Sequence, residues 1–241
     1  MKLHILESGS KANGYIIENG NEALIIEAGV PIERVVKALN YKNIVCGVLV
    51  THEHGDHAQY AHLYNSRFPL FATEGTLQAL SISNGKVLKH ETSYKIGNFT
   101  VLPFATKHDA VDPCGFLIYH QECGNILFAT DTYLIPVEVE GLNHLIMECN
   151  YCEQLLEDNF VNDRIDKMQY LRVMQSHMAL ETCLKYVELY KKSTIDNIIL
   201  IHGSSRNADR QTIVKAFVER TNYTPQFAKS NQIINIDKIP F

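Results

Sequence analysis

The sequence lacks the features that would place it in a membrane or outside the cell. None of its apolar runs approaches the roughly 20 residues that a transmembrane helix requires. The first residues meet the acidic Glu7 before any long apolar run forms, unlike a signal peptide. The six cysteines show no framework spacing, and a chain of 241 residues needs no disulfides to fold. We therefore expect a cytoplasmic protein with no membrane partner.

Positive charge is also scarce. The formal net charge is −5, with 22 basic and 27 acidic side chains, whereas proteins that grip nucleic acid over a broad face cluster lysine and arginine. The composition thus argues against such a face. Bound divalent ions would nevertheless concentrate positive charge at one place, where the local field can oppose the global charge.

Internal repeats, low-complexity tracts and Pro/Ser-rich linkers are absent, so we predict a single domain over residues 1–241. Two successive parts of the chain follow one plan, in which several short β-rich runs precede residues with a helical period. This plan predicts an α+β protein with two β-sheets packed together and helices outside them.

Several segments of the sequence can be assigned to particular strands and helices of this plan. Residues 44–50 form a nearly continuous apolar run, typical of a strand buried on both faces. The chain from Lys86 to Asp131 is predicted as strand after strand, and residues 151–192 as helical. One apolar helical face in that last region comprises Leu180, Cys183, Leu184, Val187 and Tyr190. Shorter helices are predicted after Pro31, near 74–81 and near 209–220.

The most distinctive segment follows the 44–50 run directly and has the sequence Thr51-His52-Glu53-His54-Gly55-Asp56-His57. His52 and His54 lie two residues apart, so in extended backbone they share a face and can bind one metal ion. Asp56 and His57 can then reach a second ion. Imidazoles with a carboxylate suit Zn²⁺, Mn²⁺ or Fe²⁺, and two such ions about 3.5–4 Å apart can act on both oxygens of a displacement. The segment therefore predicts a dinuclear metal-dependent hydrolase.

This segment resembles the HxHxDH signature of the metallo-β-lactamase-fold hydrolases. The resemblance implies a four-layer αββα sandwich with two mixed β-sheets flanked by helices. It also implies three further ligands, a His, an Asp and a His, each at the end of a strand. The sequence contains His108, Asp131 and His202 in that order, each after a predicted strand.

The resemblance further assigns the ligands to two ions. The first set is His52, His54 and His108, the second is Asp56, His57 and His202, and Asp131 bridges the ions. Asp131 and Asp56 would orient the attacking water, and the leaving group would need a proton. Our candidates for that proton donor are His177 and Glu148, because relatives such as tRNase Z carry a proton-shuttling histidine near this position. A capping or core role for His177, at a predicted helix start, is the alternative.

Beyond the ligands, the chain is similar to the YycJ-like (WalJ-like) branch of this superfamily. The matching stretches are Ser8-Gly9-Ser10, Ala72-Thr73-Glu74-Gly75-Thr76, His108-Asp109-Ala110-Val111-Asp112-Pro113, Glu148-Cys149-Asn150, Ser176-His177-Met178 and His202-Gly203-Ser204. That branch is associated with 5′-to-3′ exonuclease activity on DNA, which implies a phosphodiesterase with nucleic acid, DNA in particular, as its substrate. Where the branch has a serine before the next helix, this chain has Ala179, and Gly203 replaces its usual leucine.

Two other functions stay open. A thioester or lactone hydrolase of the glyoxalase II type carries the same seven ligands, so the ligand set alone does not separate it from a phosphodiesterase. A metal-bound scaffold without activity would be signalled by a missing ligand, and none is missing. A zinc β-lactamase is disfavoured because Asp131 stands where that enzyme has cysteine.

Other polar residues carry weaker signals. Four histidines outside this context are predicted to be structural or exposed, namely His4, His62, His90 and His120. Cys149 and Cys152 form an isolated CxxC, which without partner ligands is weak evidence for a redox or zinc pair. Five basic residues flank the candidate site in sequence and either hold phosphates or lie on a solvated face, namely Lys107, Arg164, Lys167, Arg172 and Arg206.

Overall fold

The computed structural model describes residues 1–41, 44–190 and 195–238. Within these residues the strands are β1 (Lys2–Glu7), β2 (Gly14–Glu18), β3 (Glu22–Ile26), β4 (Ile44–Leu49), β5 (Leu70–Thr73), β6 (Lys86–Leu88), β7 (Tyr94–Ile96), β8 (Phe99–Ala105), β9 (Cys114–His120), β10 (Gly124–Ala129), β11 (Leu142–Glu148), β12 (Asn197–Ile201), β13 (Gln226–Phe227) and β14 (Gln232–Asn235). The helices are α1 (Ile32–Ala38), α2 (Gly55–Ala58), α3 (Ala61–Asn65), α4 (Glu74–Ala79), α5 (Glu153–Val161), α6 (Lys167–Ser176), α7 (Leu180–Leu189) and α8 (Arg210–Thr221).

The strands form two sheets of seven that share one pairing plan. The first has the order β14-β1-β2-β3-β4-β5-β6, and the second β13-β12-β11-β10-β9-β8-β7. In the first sheet, three antiparallel pairings from β14 to β3 precede three parallel pairings from β3 to β6. The second repeats this plan, antiparallel from β7 to β10 and parallel from β10 to β13. Both sheets are therefore mixed, as predicted.

Three apolar cores hold four layers together. The central core joins the two sheets, and in it Tyr15 meets Phe128 edge to face with ring centroids 5.2 Å apart. A second core packs α1, α3 and α4 on the outer face of the first sheet, and a third packs α7 and α8 on the second. This arrangement confirms the predicted αββα sandwich. In the described part of the chain, no helix is long and apolar enough to span a bilayer.

Several helices have a polar residue at the N-cap, whose side chain accepts a hydrogen bond from a free backbone N–H group of the first turn. The Thr73 hydroxyl accepts from Thr76 N at the start of α4, and Asp166 accepts from Gln169 N at 2.7 Å before α6. Asp209 does the same for α8 through Thr212 N. By contrast, Ala179 precedes α7 without a side-chain cap, which agrees with the serine noted as missing from the sequence.

Three local predictions were wrong in detail. The first residues of β4 are not buried on both faces, since Ile44 is 73% exposed and burial is complete only from Gly47 onward. The helical stretch 151–192 consists of three helices with turns between them, and its predicted end at Lys192 lies outside the described residues. His177 does not start a helix; it ends α6, and its extended backbone turns the chain toward α7. The short helices α2 and α3 were not predicted.

Candidate metal centre

The segment after β4, which runs into α2, is held by backbone contacts to two other loops of the same half. Asn13 N donates to Asp56 O, and Ala28 N donates to His57 O, both at 2.7 Å. At Gly29 the loop after β3 passes so close to Asp56 that an added Cβ atom would lie 1.9 Å from the Asp56 carbonyl oxygen. Only glycine fits there, so its position fixes the backbone that presents the Asp56 and His57 side chains.

Three imidazoles form the first group of side chains that could hold a metal ion. One nitrogen each of His52, His54 and His108 lies within 4.8 Å of the others. His108 Nδ1 donates to Ser176 O at 3.0 Å, so its Nε2 faces His54 Nδ1 at 3.2 Å. His52 Nε2 is buried and has no hydrogen-bond partner among the described residues. A bound cation would satisfy this nitrogen, so the group fits a metal ion.

The second group combines carboxylates with imidazoles. Asp56, His57, Asp131 and His202 each contribute an atom within 4.8 Å of the others. Asp56 Oδ2 lies 3.3 Å from His57 Nε2 and 3.4 Å from His202 Nε2. This mixture of imidazole and carboxylate suits divalent transition-metal ions.

Asp131 lies between the two groups. Its Oδ2 is 3.3 Å from His57 Nε2 in the second group. The same oxygen is 3.6 Å from His108 Nε2 and 3.8 Å from His52 Nε2 in the first. One carboxylate oxygen therefore lies within reach of ligand atoms from both groups, as a bridging ligand requires.

The protonation of the two groups differs. Burial lowers the pKa of His108, and burial together with the neighbouring His57 lowers the pKa of His52, so both present neutral imidazoles. Burial also opposes charge on His57 and His202, but the surrounding carboxylates together outweigh it and raise the pKa of both, Asp131 with Glu27 and Asp56 at His57 and Asp131 with Asp56 and Glu148 at His202. The second group thus holds protons that a cation would displace.

Backbone strain marks three residues that follow strands around this centre. Glu27 after β3, Asp131 after β10 and His202 after β12 have φ values of 69°, 46° and 49°. Left-handed backbone is uncommon for residues other than glycine, and such strain concentrates at functional sites. The geometry of the centre is therefore imposed by the surrounding fold.

Glu27 is a site residue that the sequence analysis missed. It is fully buried, and its Oε1 accepts from the Thr51 hydroxyl at 2.6 Å and lies 3.2 Å from His57 Nδ1. The Thr51 oxygen lies 2.9 Å from His52 Nδ1. One carboxylate thereby contacts a histidine of each group, as an ion-pair neighbour of His57 and through the Thr51 hydroxyl at His52, and both Nε2 atoms face the centre. The available signal was an acidic residue ending the apolar strand β3, just before Gly29.

His177 and Glu148 form an ion pair at the edge of the centre. His177 Nδ1 lies 2.6 Å from Glu148 Oε1, and the same oxygen lies 3.2 Å from His202 Nδ1. Glu148 is fully buried, and its other oxygen accepts from Thr132 N and Met178 N. Burial alone would lower the pKa of His177, but Glu148 raises it. His177 therefore carries a proton that it can present to the cavity.

A cavity of about 400 Å³ opens over these side chains. His54, His108, Asp131, His177 and His202 line its floor, and two of the five basic residues singled out in the sequence, Arg172 and Arg206, line its walls. Lys107 lines a neighbouring cavity. Arg164 donates to Asn159, and Lys167 is absent from the described lining of either cavity.

The four histidines predicted to be structural or exposed contribute no atom to the groups of potential metal ligands among the described residues, and neither does the CxxC. His4 contacts Glu18, His90 contacts Asp112 and His120 contacts Glu22, while His62 is exposed. Cys149 and Cys152 are buried as free thiols, and burial raises the pKa of Cys152. The groups of metal-ligating side chains in the described residues include no cysteine.

Comparison with known proteins agrees with this geometry. The sequence profile of the beta-lactamase superfamily domain matches residues 35–202. The chain therefore belongs to this superfamily, and together with the His/Asp cluster this supports a metal-dependent hydrolase.

Individual relatives are more distant. The chain is 27% identical to the exodeoxyribonuclease YycJ of Bacillus anthracis over 175 residues, which are 65% of this chain and 66% of that protein. The match thus spans slightly less than two thirds of the relative's length. The metallo-β-lactamase fold protein YhfI from Bacillus subtilis superimposes with a TM-score of 0.72 at 15% identity, over 97% of this chain and 99% of that one. Zn²⁺-bound PqqB from Methylobacterium extorquens gives 0.70 at 14% identity, over 98% and 100%.

Proposed function

We propose that the protein is a dinuclear metal-dependent phosphodiesterase that acts on nucleic acid, as a 5′-to-3′ DNA exonuclease. The observation that carries the proposal is the Asp131 carboxylate, which lies between two complete groups of ligand atoms. The similarity to an exodeoxyribonuclease supports the choice of substrate.

In this proposal the seven ligands divide as the resemblance implied. His52, His54 and His108 would hold one ion, Asp56, His57 and His202 would hold the other, and Asp131 would be shared by the two groups. When bound, Zn²⁺ or Mn²⁺ ions would supply the Lewis acidity that makes water nucleophilic near neutral pH and offsets charge on the phosphate.

The chain's own residues handle the protons. Asp131 and Asp56 accept hydrogen bonds from the attacking water and orient it. His177 lines the cavity and carries a proton, so it donates that proton to the departing oxygen of the strand. Glu148 does not face the cavity; it is a positioning residue that holds His177 by its Nδ1 and keeps the imidazole charged.

The decisive experiment compares substrate classes on one preparation. Metal-free protein is loaded with Mn²⁺ or Zn²⁺ and assayed on 5′-phosphorylated duplex DNA, single-stranded DNA, RNA, a small phosphodiester and a glutathione thioester. We expect cleavage of DNA and of the small phosphodiester, with mononucleotides released from the 5′ end. Cleavage of the thioester alone would overturn the proposal in favour of a glyoxalase II type hydrolase.

A further inference from the structure

Exposed apolar side chains gather beside the metal centre. Tyr133, Met168 and Leu171 are 42%, 77% and 37% exposed. All three line one shallow cavity of about 420 Å³, which is also lined by His108 of the first ligand group. We call these three residues the side platform. It is continuous with the centre through His108.

Packing of the fold does not require these side chains to be apolar. The helix α6 is anchored through other residues, since Tyr170 and Val173 pack on the small core that also contains Leu156. The loop that carries Tyr133 is anchored by Thr132, whose N donates to Glu148 and whose hydroxyl accepts from Lys107 N. Tyr133 thus lies on a fixed loop two residues after Asp131 and still leaves its ring in solvent.

Two cationic side chains border the side platform. Lys107 and Arg172 line the same cavity. Arg172 Nε lies 3.6 Å from Asp109 Oδ2, and because both side chains are at least half exposed this pair is weak. One aromatic ring and two apolar side chains flanked by two exposed cations match a strand with planar bases and a charged backbone. These two cations lie together beside the centre although the chain as a whole has a net charge of −5.

We propose that the side platform binds an unpaired base of the strand whose phosphodiester lies at the metal centre, with Lys107 and Arg172 contacting its neighbouring phosphates. This inference rests on the proposed function and narrows its substrate to ends that are single-stranded or fray. A base inside a duplex is stacked between its neighbours and has no free face for the Tyr133 ring, whereas an unpaired base does.

The first test measures binding without turnover. A single strand with phosphorothioate linkages and a 2-aminopurine near its 5′ end is titrated with Mn²⁺-loaded protein, and quenching of the probe reports stacking. Tyr133→Ala should weaken binding roughly 5- to 100-fold, the range found for base–aromatic stacking, and abolish the quenching. Tyr133→Phe keeps the ring and should restore both. Tyr119→Ala is the matched control, because Tyr119 is 46% exposed on β9 and lines a different cavity.

The second test removes the base instead of the ring. Replacing the nucleotides near the 5′ end by abasic ones should weaken binding to the wild type as much as Tyr133→Ala does. The same abasic replacement should weaken binding to Tyr133→Ala little further, because the replacement and the substitution remove the same contact. A full additional loss in the variant would overturn the inference.

The outcomes separate this inference from the function on which it rests. If the wild type cleaves neither DNA nor the small phosphodiester, the proposed function fails. If the wild type cleaves DNA and Tyr133→Ala binds the strand as tightly as Tyr119→Ala, only the side platform is refuted. The same binding accompanied by a changed oligomeric state of Tyr133→Ala would refute it in favour of a protein interface.

Discussion

The two sheets are built on one plan but contribute to the centre in different ways. Each has three antiparallel pairings followed by three parallel ones. The first half supplies four of the seven candidate ligands from the single segment 52–57, which comprises the loop after β4 and the start of α2. The second half supplies the other three from three separate loops, with His108 after β8, Asp131 after β10 and His202 after β12.

This difference separates local from global determinants of the site. The ligand segment of the first half is set by contacts within that half, such as those of Asp56 and His57 with residues 13 and 28. The residues of the second half meet only because strands β8, β10 and β12 belong to one sheet, and Asp131 and His202 adopt left-handed backbone to reach the centre. We therefore expect substitutions in the two halves to have different effects on metal binding and turnover.

The largest expected effect comes from the residue that joins the halves. Asp131→Ala should lower turnover by at least about 10³-fold and reduce the content of both metals, because both ligand groups lose their shared carboxylate. Asp56→Ala should lose one ion and keep the other. Metal content measured by mass spectrometry beside turnover checks this. Retention of both ions by Asp131→Ala would contradict the bridging role.

His177 should affect chemistry without affecting the metals. His177→Ala is expected to slow DNA cleavage by roughly 10²- to 10⁴-fold, the usual contribution of general acid catalysis, with both ions retained. The loss should shrink for a p-nitrophenyl phosphodiester, whose leaving group needs no proton. His90→Ala is the control, since His90 is similarly ion-paired but lies outside the cavity. Metal loss in His177→Ala equal to that in Asp131→Ala would refute the role.

A substitution of Glu27 tests how the ligands of the first half are positioned. Glu27→Gln should weaken metal affinity by about 10- to 100-fold, because the carboxylate supplies the negative charge beside His57 and orients His52 through Thr51. Glu22→Gln, at the opposite end of β3, is the matched control, since Glu22 is also buried and hydrogen-bonded. Competition with a chelator measures both. Equal affinities of the two variants would show that Glu27 serves stability alone.

The pH dependence of metal binding should differ between the two groups. Raised pKa values keep His57 and His202 protonated in the metal-free protein at neutral pH, so binding at the second group releases protons. Affinity there should rise with pH, by up to about tenfold per pH unit for each proton displaced. His52 and His108 are already neutral, so the first group should show less dependence. Calorimetry in buffers of different ionisation enthalpy, on wild type and His202→Ala, counts the released protons; equal release in both proteins would contradict the assignment.

The sequence predicts much of this molecule because several signals are local. The apolar run into residues 51–57 and the helical face from Leu180 to Tyr190 depend on spacing alone, and the structure confirms both. The exposed start of β4 and the three-helix division of residues 151–192 could not be predicted, because both depend on which neighbours cover the segment. Glu27 was missed for a similar reason, because a single acidic residue at the end of a strand indicates a site only when its contacts with Thr51 and His57 are known.

The shared use of Glu148 Oε1 couples two parts of the centre. The oxygen faces both His202, a candidate ligand, and His177, the candidate acid. Any ion that withdraws electron density from His202 changes how strongly that oxygen holds the proton of His177. The alkaline limb of a rate profile, where His177 loses its proton, should therefore move when one metal replaces another.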